Sequence, residues 1–352
     1  MKRSLFSIAL IGMVAAALVF SCSKSYNSHG TIVSVQTQTL NQLFAGLRST
    51  PQGLSVTAGR DTIVYGARGT MLHFYANSFK TADGTTITSG IINLQLIEMY
   101  KPGDMIANRA TTMANGQILQ SSGQVKLSAS QGGIEVFTNG YGIGFKHSTY
   151  SGVPMALFYG ATANADSIAT WTQSDTSHQA NVALGTTIDS AGGGGGGGGI
   201  SGTEVFFYFD TCSSFTLANC DWFYDNDSPK TSVSVVLPDT SYNPTNTQVF
   251  LVLPNINRWG GATDTFTAVM SNDGGYGSTA YNASTNTINI LSEGNVSIVP
   301  AGLSYKLVAI TNKNGQYYYW ETSGVVPHSG INVHAVLATD TQSDILARMQ
   351  GL

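Results

Sequence analysis

With 352 residues, 42% of them hydrophobic, the chain is long enough for two ordinary domains and apolar enough to build cores, which excludes wholesale disorder. Charged residues make up only 10%, against about a quarter in typical domains, and 16 Lys and Arg are outnumbered by 20 Asp and Glu, a formal charge of -4. That balance offers no basic footprint for nucleic acid, while the Gly- and hydroxyl-rich remainder suits an exported β protein.

Met1-Lys2-Arg3 is a short basic start, and Leu5 to Phe20 is apolar except for Ser7 and Gly12. This is the pattern of a signal peptide, and the run falls short of the roughly 18 residues that a spanning helix needs. Val19-Phe20-Ser21-Cys22 resembles the lipobox of bacterial lipoproteins, with an aliphatic residue three before the cysteine and a small one just before it. The resemblance implies cleavage before Cys22, a diacylglycerol on its thiol, and an acylated amino terminus. Several acyl chains, at about 0.8 kcal/mol per buried methylene, hold a protein firmly on a bilayer. Residues 1–21 are thus read as a lipoprotein signal peptide and 22–37 as a polar tether, giving an outer-membrane lipoprotein of the cell envelope. The tether carries no acidic residues of the kind found after the cysteine in surface-exported Bacteroidota lipoproteins, so the sequence does not choose between the two faces of that membrane.

Leu40, Leu43, Phe44 and Leu47 share one face of a predicted short helix, after which strands dominate. These are expected at 53–57, 61–65, 70–76, 91–100, 124–129, 134–138 and 155–159. The tract Ile92-Asn93-Leu94-Gln95-Leu96 alternates apolar and polar, as a half-buried strand requires. Asp83-Gly84 and Asn115-Gly116 mark turns. The segment from Gly69 to Ile106, GTMLHFYANSFKTADGTTITSGIINLQLIEMYKPGDMI, resembles the β-sandwich domain shared by ankyrins and netrin receptors. It is also similar to a module of uncharacterised Bacteroidota lipoproteins, in which a tract like Asn219 to Tyr224 follows in a second β region. The resemblance implies a fold and a compartment, and no activity.

Gly192 to Gly199 form an unbroken oligoglycine run, which has no side chains to bury and reads as a flexible linker or an expanded loop. Beyond it strands are expected at 204–209, 232–237, 248–253, 265–270, 287–291, 305–311, 316–321 and 331–338. A hairpin is expected to turn at Asn312 to Gly315, and a helix to close the chain at 343–349. The prediction is an all-β chain of two β-sandwich domains, 38–188 and 202–352, joined by a linker at 189–201, with a short helix near the start of the first and another at the C-terminus.

With Cys22 acylated, Cys212 and Cys220 remain as an even pair in an oxidising compartment, and a disulfide between them is expected; two buried thiols are the alternative. Asp221, Asp225 and Asp227 place oxygen ligands at a spacing that calcium takes, although the tract lacks the order of a known calcium loop and Asp and Asn are ordinary turn formers. His73-Phe74-Tyr75 resembles the His-Phe-Ser site at which some sandwich domains cut themselves, but the phenol of Tyr75 does not supply the attacking hydroxyl. Trp222, Tyr224, Tyr318 and Trp320 are potential ligand-contact aromatics, since alternate strand residues face opposite sides and an exposed ring can stack on a sugar or anchor a partner. Thr62, Ser167 and Ser190 each follow an aspartate and precede an apolar residue, which resembles the O-glycosylation sequon of exported Bacteroidota proteins. Nothing calls for a cofactor. The function expected is that of a lipid-anchored, non-enzymatic binding or structural subunit whose partner is an envelope protein complex or a glycan. The competing class is a secreted glycan-acting hydrolase, which needs two carboxyl groups flanking a cleft.

Overall fold

A computed structural model describes residues 39–147, 154–162, 168–174, 181–184, 205–224, 227–256, 266–272, 281–290 and 297–352. Before the glycine run the elements are α1 (Leu40–Leu47), β1 (Gln52–Thr57), β2 (Thr62–Tyr65), β3 (Met71–Phe74), β4 (Phe79–Lys80), β5 (Ile91–Met99), α2 (Pro102–Ala107), β6 (Met113–Ala114), β7 (Gln117–Gln131), β8 (Ile134–Thr138), β9 (Tyr141–His147), β10 (Ala156–Ala161), β11 (Thr170–Gln173) and β12 (Asn181–Leu184). After it come β13 (Val205–Cys212), β14 (Leu217–Phe223), β15 (Lys230–Thr231), β16 (Val233–Val236), β17 (Thr247–Ile256), β18 (Phe266–Ser271), β19 (Tyr281–Asn282), β20 (Thr287–Ile290), β21 (Val299–Pro300), β22 (Ser304–Lys313), β23 (Gln316–Val325), β24 (Ile331–His334), β25 (Ala338–Asp340) and α3 (Gln342–Gln350).

Local chemistry accounts for the helix ends. Thr39 caps α1: its hydroxyl accepts from the Gln42 backbone amide at 3.2 Å, while the Gln42 side chain accepts from the Thr39 amide at 2.6 Å, a reciprocal capping box. Thr341 caps α3 by accepting from the Asp344 amide at 3.1 Å. The expected hairpin between β22 and β23 turns on Asn314 and Gly315, both at positive φ, which a two-residue turn matching the strand twist requires.

One large sheet runs through the molecule in the order β11-β10-β14-β7-β18-β17-β22-β23-β25, with β1, β5, β6, β8 and β4 joined to it through β7. One face packs against a five-stranded sheet, β12-β13-β9-β3-β2, and a four-stranded one, β19-β20-β16-β24, burying a core that includes Leu94, Val125, Phe145, Phe207, Val235 and Leu307. The other face is covered by the helices, whose Leu43, Phe44, Ile106 and Ile345 meet Phe250, Val252, Val308 and Ile310 of the sheet.

Strand pairing crosses the glycine run, because β7 from before it bonds to β14 and β18 from after it, and the described residues fall in one compact unit beginning at Thr37. The sheets therefore do not part at residues 189–201, which themselves lie outside the described residues. What joins the halves is the length of β7. Its C-terminal part pairs with β5, and its N-terminal part passes to β18 and β6. Register slips at Ser122 and Gly123, where Ser121 and Gly123 face Asp221 and Cys220. Gly123 takes φ +145, and a Cβ there would meet the Tyr100 ring at 2.5 Å, so only glycine fits this bulge.

Candidate functional site

Residues 217, 219, 221 and 223 of β14 alternate onto the helix-covered face of the large sheet, and the register of β7 sets Lys126, Gln124, Ser121 and Leu119 opposite them. At the centre of this face the row is polar and buried. Ser121 Oγ donates to Asn219 Oδ1 at 2.9 Å, and Asn219 Nδ2 donates to the Asp221 carboxylate. Asp221 has no exposed surface, and burial pushes its carboxyl well above the ordinary range. A fully buried carboxyl inside a strand differs from the turn ligand expected of a calcium loop. Asp227 lies in a bend after the strand, and Asp225 falls outside the described residues. Among the described residues, no three His, Cys, Asp or Glu side chains gather in metal-binding geometry.

The aromatic runs are partly covered, with Tyr224 and Tyr319 buried and the other rings half-buried. Trp222 is half-buried and packs against both cores, and Phe223 meets Phe158 edge to face. Tyr224 is buried and lines a pocket of ≈ 200 Å³ with Gln117, Ile118, Lys230 and Ile298. On β23, Tyr319 faces the helix side and donates its hydroxyl to Glu321 at 2.7 Å under the Arg348 guanidinium, while Tyr318 and Trp320 are half-buried against the other core. Tyr318 also meets Tyr242 edge to face, with the Lys313 ammonium 4.1 Å from the Tyr242 ring centre. These rings contribute to packing, and Tyr224 is the one that also borders a pocket described here.

The expected Cys212–Cys220 disulfide is not formed. Both cysteines are buried free thiols, Cys212 ending β13 in the five-stranded sheet and Cys220 within β14 in the large one. The short connection between those strands carries the chain from one layer to the facing one, with the two thiols packed in the core between. Burial pushes both thiols above their ordinary range. Thr62 opens β2 opposite Phe74 and is half-buried. Cys22, Ser167 and Ser190 lie outside the described residues.

His73 and Tyr75 emerge on the outer face of the five-stranded sheet. The Tyr208 hydroxyl lies 3.3 Å from His73 Nδ1 and from the Tyr75 hydroxyl, which donates to the Asp210 carbonyl at 3.0 Å. Gly142 makes room for this cluster, since a Cβ there would sit 2.1 Å from the Tyr208 hydroxyl. Desolvation lowers the His73 pKa.

A cleft of ≈ 380 Å³, absent from the sequence reading, opens where the helix layer ends over the large sheet. Ile97, Lys126, Leu217 and Gly160 face one another in register across β5, β7, β14 and β10 and form its floor. Arg48, which caps the end of α1, and Asn108, which caps the end of α2, stand at its helix side, and Thr162 and Thr216 line it as well. Gly160 is required there, because a Cβ would lie 2.7 Å from Leu217 and 2.8 Å from the Trp171 ring. The one sequence signal for this site is the alternation Val125-Lys126-Leu127-Ser128-Ala129, which puts Lys126 on the face away from the main core.

No protein-family model, curated protein or solved structure matches this chain.

Proposed function

We propose that this protein is a lipid-anchored, non-enzymatic subunit of the cell envelope that binds a glycan or a protein of that compartment. The observation that carries binding is the cleft at the end of the helix layer, where a floor that includes Ile97 and Lys126 is bordered by Arg48 and Asn108 at two helix ends and by Thr162 and Thr216 beside β10 and β14. Such a mixture of apolar surface with a few convergent polar groups is the usual construction of a small-molecule or glycan site. Location rests on the signal-peptide pattern and on Cys22 in its lipobox-like setting. A layered β body carried on a lipid anchor suits capture or scaffolding at the bilayer surface.

Fractionation of the native host tests the anchor. Cys22→Ala is expected to release the mature protein into the soluble fraction or to leave an uncut precursor. Maturation and detergent partitioning like the parent's would overturn the lipoprotein reading.

A further inference from the structure

We infer that the buried polar row beneath the helix layer is a built site for one bound water molecule, which ties strands from both sides of the glycine run to the loop after α2. Four side-chain oxygens carry the inference. Asp221 Oδ1, Gln124 Oε1, Thr111 Oγ1 and Thr267 Oγ1 are shut off from solvent and have no hydrogen-bond partner within the protein. Asp221 and Gln124 are 0% exposed and Thr111 is 1% exposed. Buried polar atoms are almost always paired, and where the protein supplies no partner an ordered water does so, with about three bonds to such groups.

Strand register brings these residues together. Thr267 of β18, Ser121 of β7 and Asp221 of β14 stand opposite one another in one row, and Gln124 faces Asn219 in the next. Opposed residues project to one side with Cβ atoms about 4.5–5.5 Å apart, and a water bonded to two oxygens bridges a gap of about 5 Å, so the row has the right spacing for it. Thr111 joins the group through its carbonyl, which accepts from Gln124 Nε2 at 3.5 Å and from Trp171 Nε1, while its neighbour Thr112 is bonded to Val269 of β18 in both directions. The nitrogens are committed, since Asn219 Nδ2 donates to Asp221 and the other two donate to the Thr111 carbonyl. What remains is a carboxyl oxygen, an amide oxygen and two hydroxyls that donate or accept. A water, with two hydrogens and two lone pairs, matches that set. Calcium takes roughly 6–8 oxygen ligands, more than this row supplies, and Asp221 is its one acid. Ala156, Phe158 and Met99, opposite Asp221, Asn219 and Gln124 and all buried, wall the row from bulk solvent.

Two measurements on the full-length protein in detergent test the site. Thr111→Val keeps the shape of the side chain and removes the hydroxyl, and the sign of its effect separates a wet site from a dry one. In a dry site the substitution removes an orphaned polar atom and is neutral or stabilising; with a water bound, it leaves that water short of a partner. Urea denaturation is expected to show the folding equilibrium constant falling about tenfold in Thr111→Val and in Thr267→Val, with Thr111→Ser, which retains the hydroxyl, nearer the parent. Because the two hydroxyls hold the same molecule, the double variant should lose less than the product of the two single losses. A neutral or stabilising Thr111→Val overturns the inference, and strictly multiplicative losses overturn the shared site. A crystal structure of the same protein is expected to show a density peak about 2.7–3.2 Å from Asp221 Oδ1 and from at least two of the other three oxygens. Direct bonds among those oxygens with no peak between them overturn the site, and a peak with six or more oxygens at about 2.3–2.6 Å replaces the water with a cation.

Discussion

Replacing Gly103 with Ala tests how the helix layer is held down. Gly103 lies in the first turn of α2, and a Cβ there would approach the Met349 carbonyl oxygen of α3 to 1.8 Å and its carbonyl carbon to 2.5 Å. Non-bonded carbon atoms prefer about 3.5–4.0 Å, and the obstacle is backbone, so no side chain can swing aside. If the helices yield in place, overpacking costs about 1–3 kcal/mol, with a backbone clash at the upper end. If α3 lifts away, Ile345 and Met349, at 0% and 1% exposure, lose their burial, at about 1.5–3 kcal/mol each. Alanine's better helix propensity returns about 1 kcal/mol. The net expectation is a loss of about 2–5 kcal/mol, read as a lower midpoint in urea denaturation. Hydrogen exchange should show α3 amides losing protection before those of β17 and β22. Because Asn108 at the end of α2 borders the cleft, ligand affinity should weaken in the same variant. A loss below about 0.5 kcal/mol, with α3 protection unchanged, would refute the packing argument.

Two further outcomes are expected. Asp221 has its folded pKa raised by burial, so the folded state holds this proton where the unfolded chain has released it. The associated stability is fully present below the ordinary carboxylate range and is lost as pH rises from there toward the folded value. Asp221→Asn removes that slope, so in denaturation at pH 5 and pH 8 the variant should gain on the parent at the higher pH; a constant difference would contradict a neutral Asp221. Cys212 and Cys220, both buried with raised pKa values, should resist iodoacetamide in the native protein at neutral pH and react promptly in urea without reductant. A Cys212–Cys220 linked peptide in non-reduced mass spectrometry would refute the free-thiol structure.

What the sequence determined by itself was local. The apolar face of α1, the hairpin at Asn312 to Gly315 and the alternation along β5 are properties of neighbouring residues, and each is found where the pattern places it. Where local signals conflicted with tertiary packing, packing prevailed. No strand was expected at 141–147, yet β9 is the central strand of the five-stranded sheet, and Tyr208, Met71 and Phe206 lie across the space that the missing side chains of Gly142 and Gly144 leave. Asp221, weighed in the sequence as a calcium ligand or turn former, instead lies within β14, where Asn219, itself held by Ser121, donates to one of its carboxylate oxygens. The length of β7 was hidden by its polar stretch Gln120-Ser121-Ser122-Gly123-Gln124, which is buried only because a bulge lets one strand serve partners from both sides of the glycine run. The cleft depends most on the tertiary structure. Lys126 and Leu217 become neighbours through strand register, and the ends of α1 and α2 decide how much of that face stays open to solvent. Alternation can say which side of a strand a lysine occupies; whether that side is covered is settled only when distant elements pack.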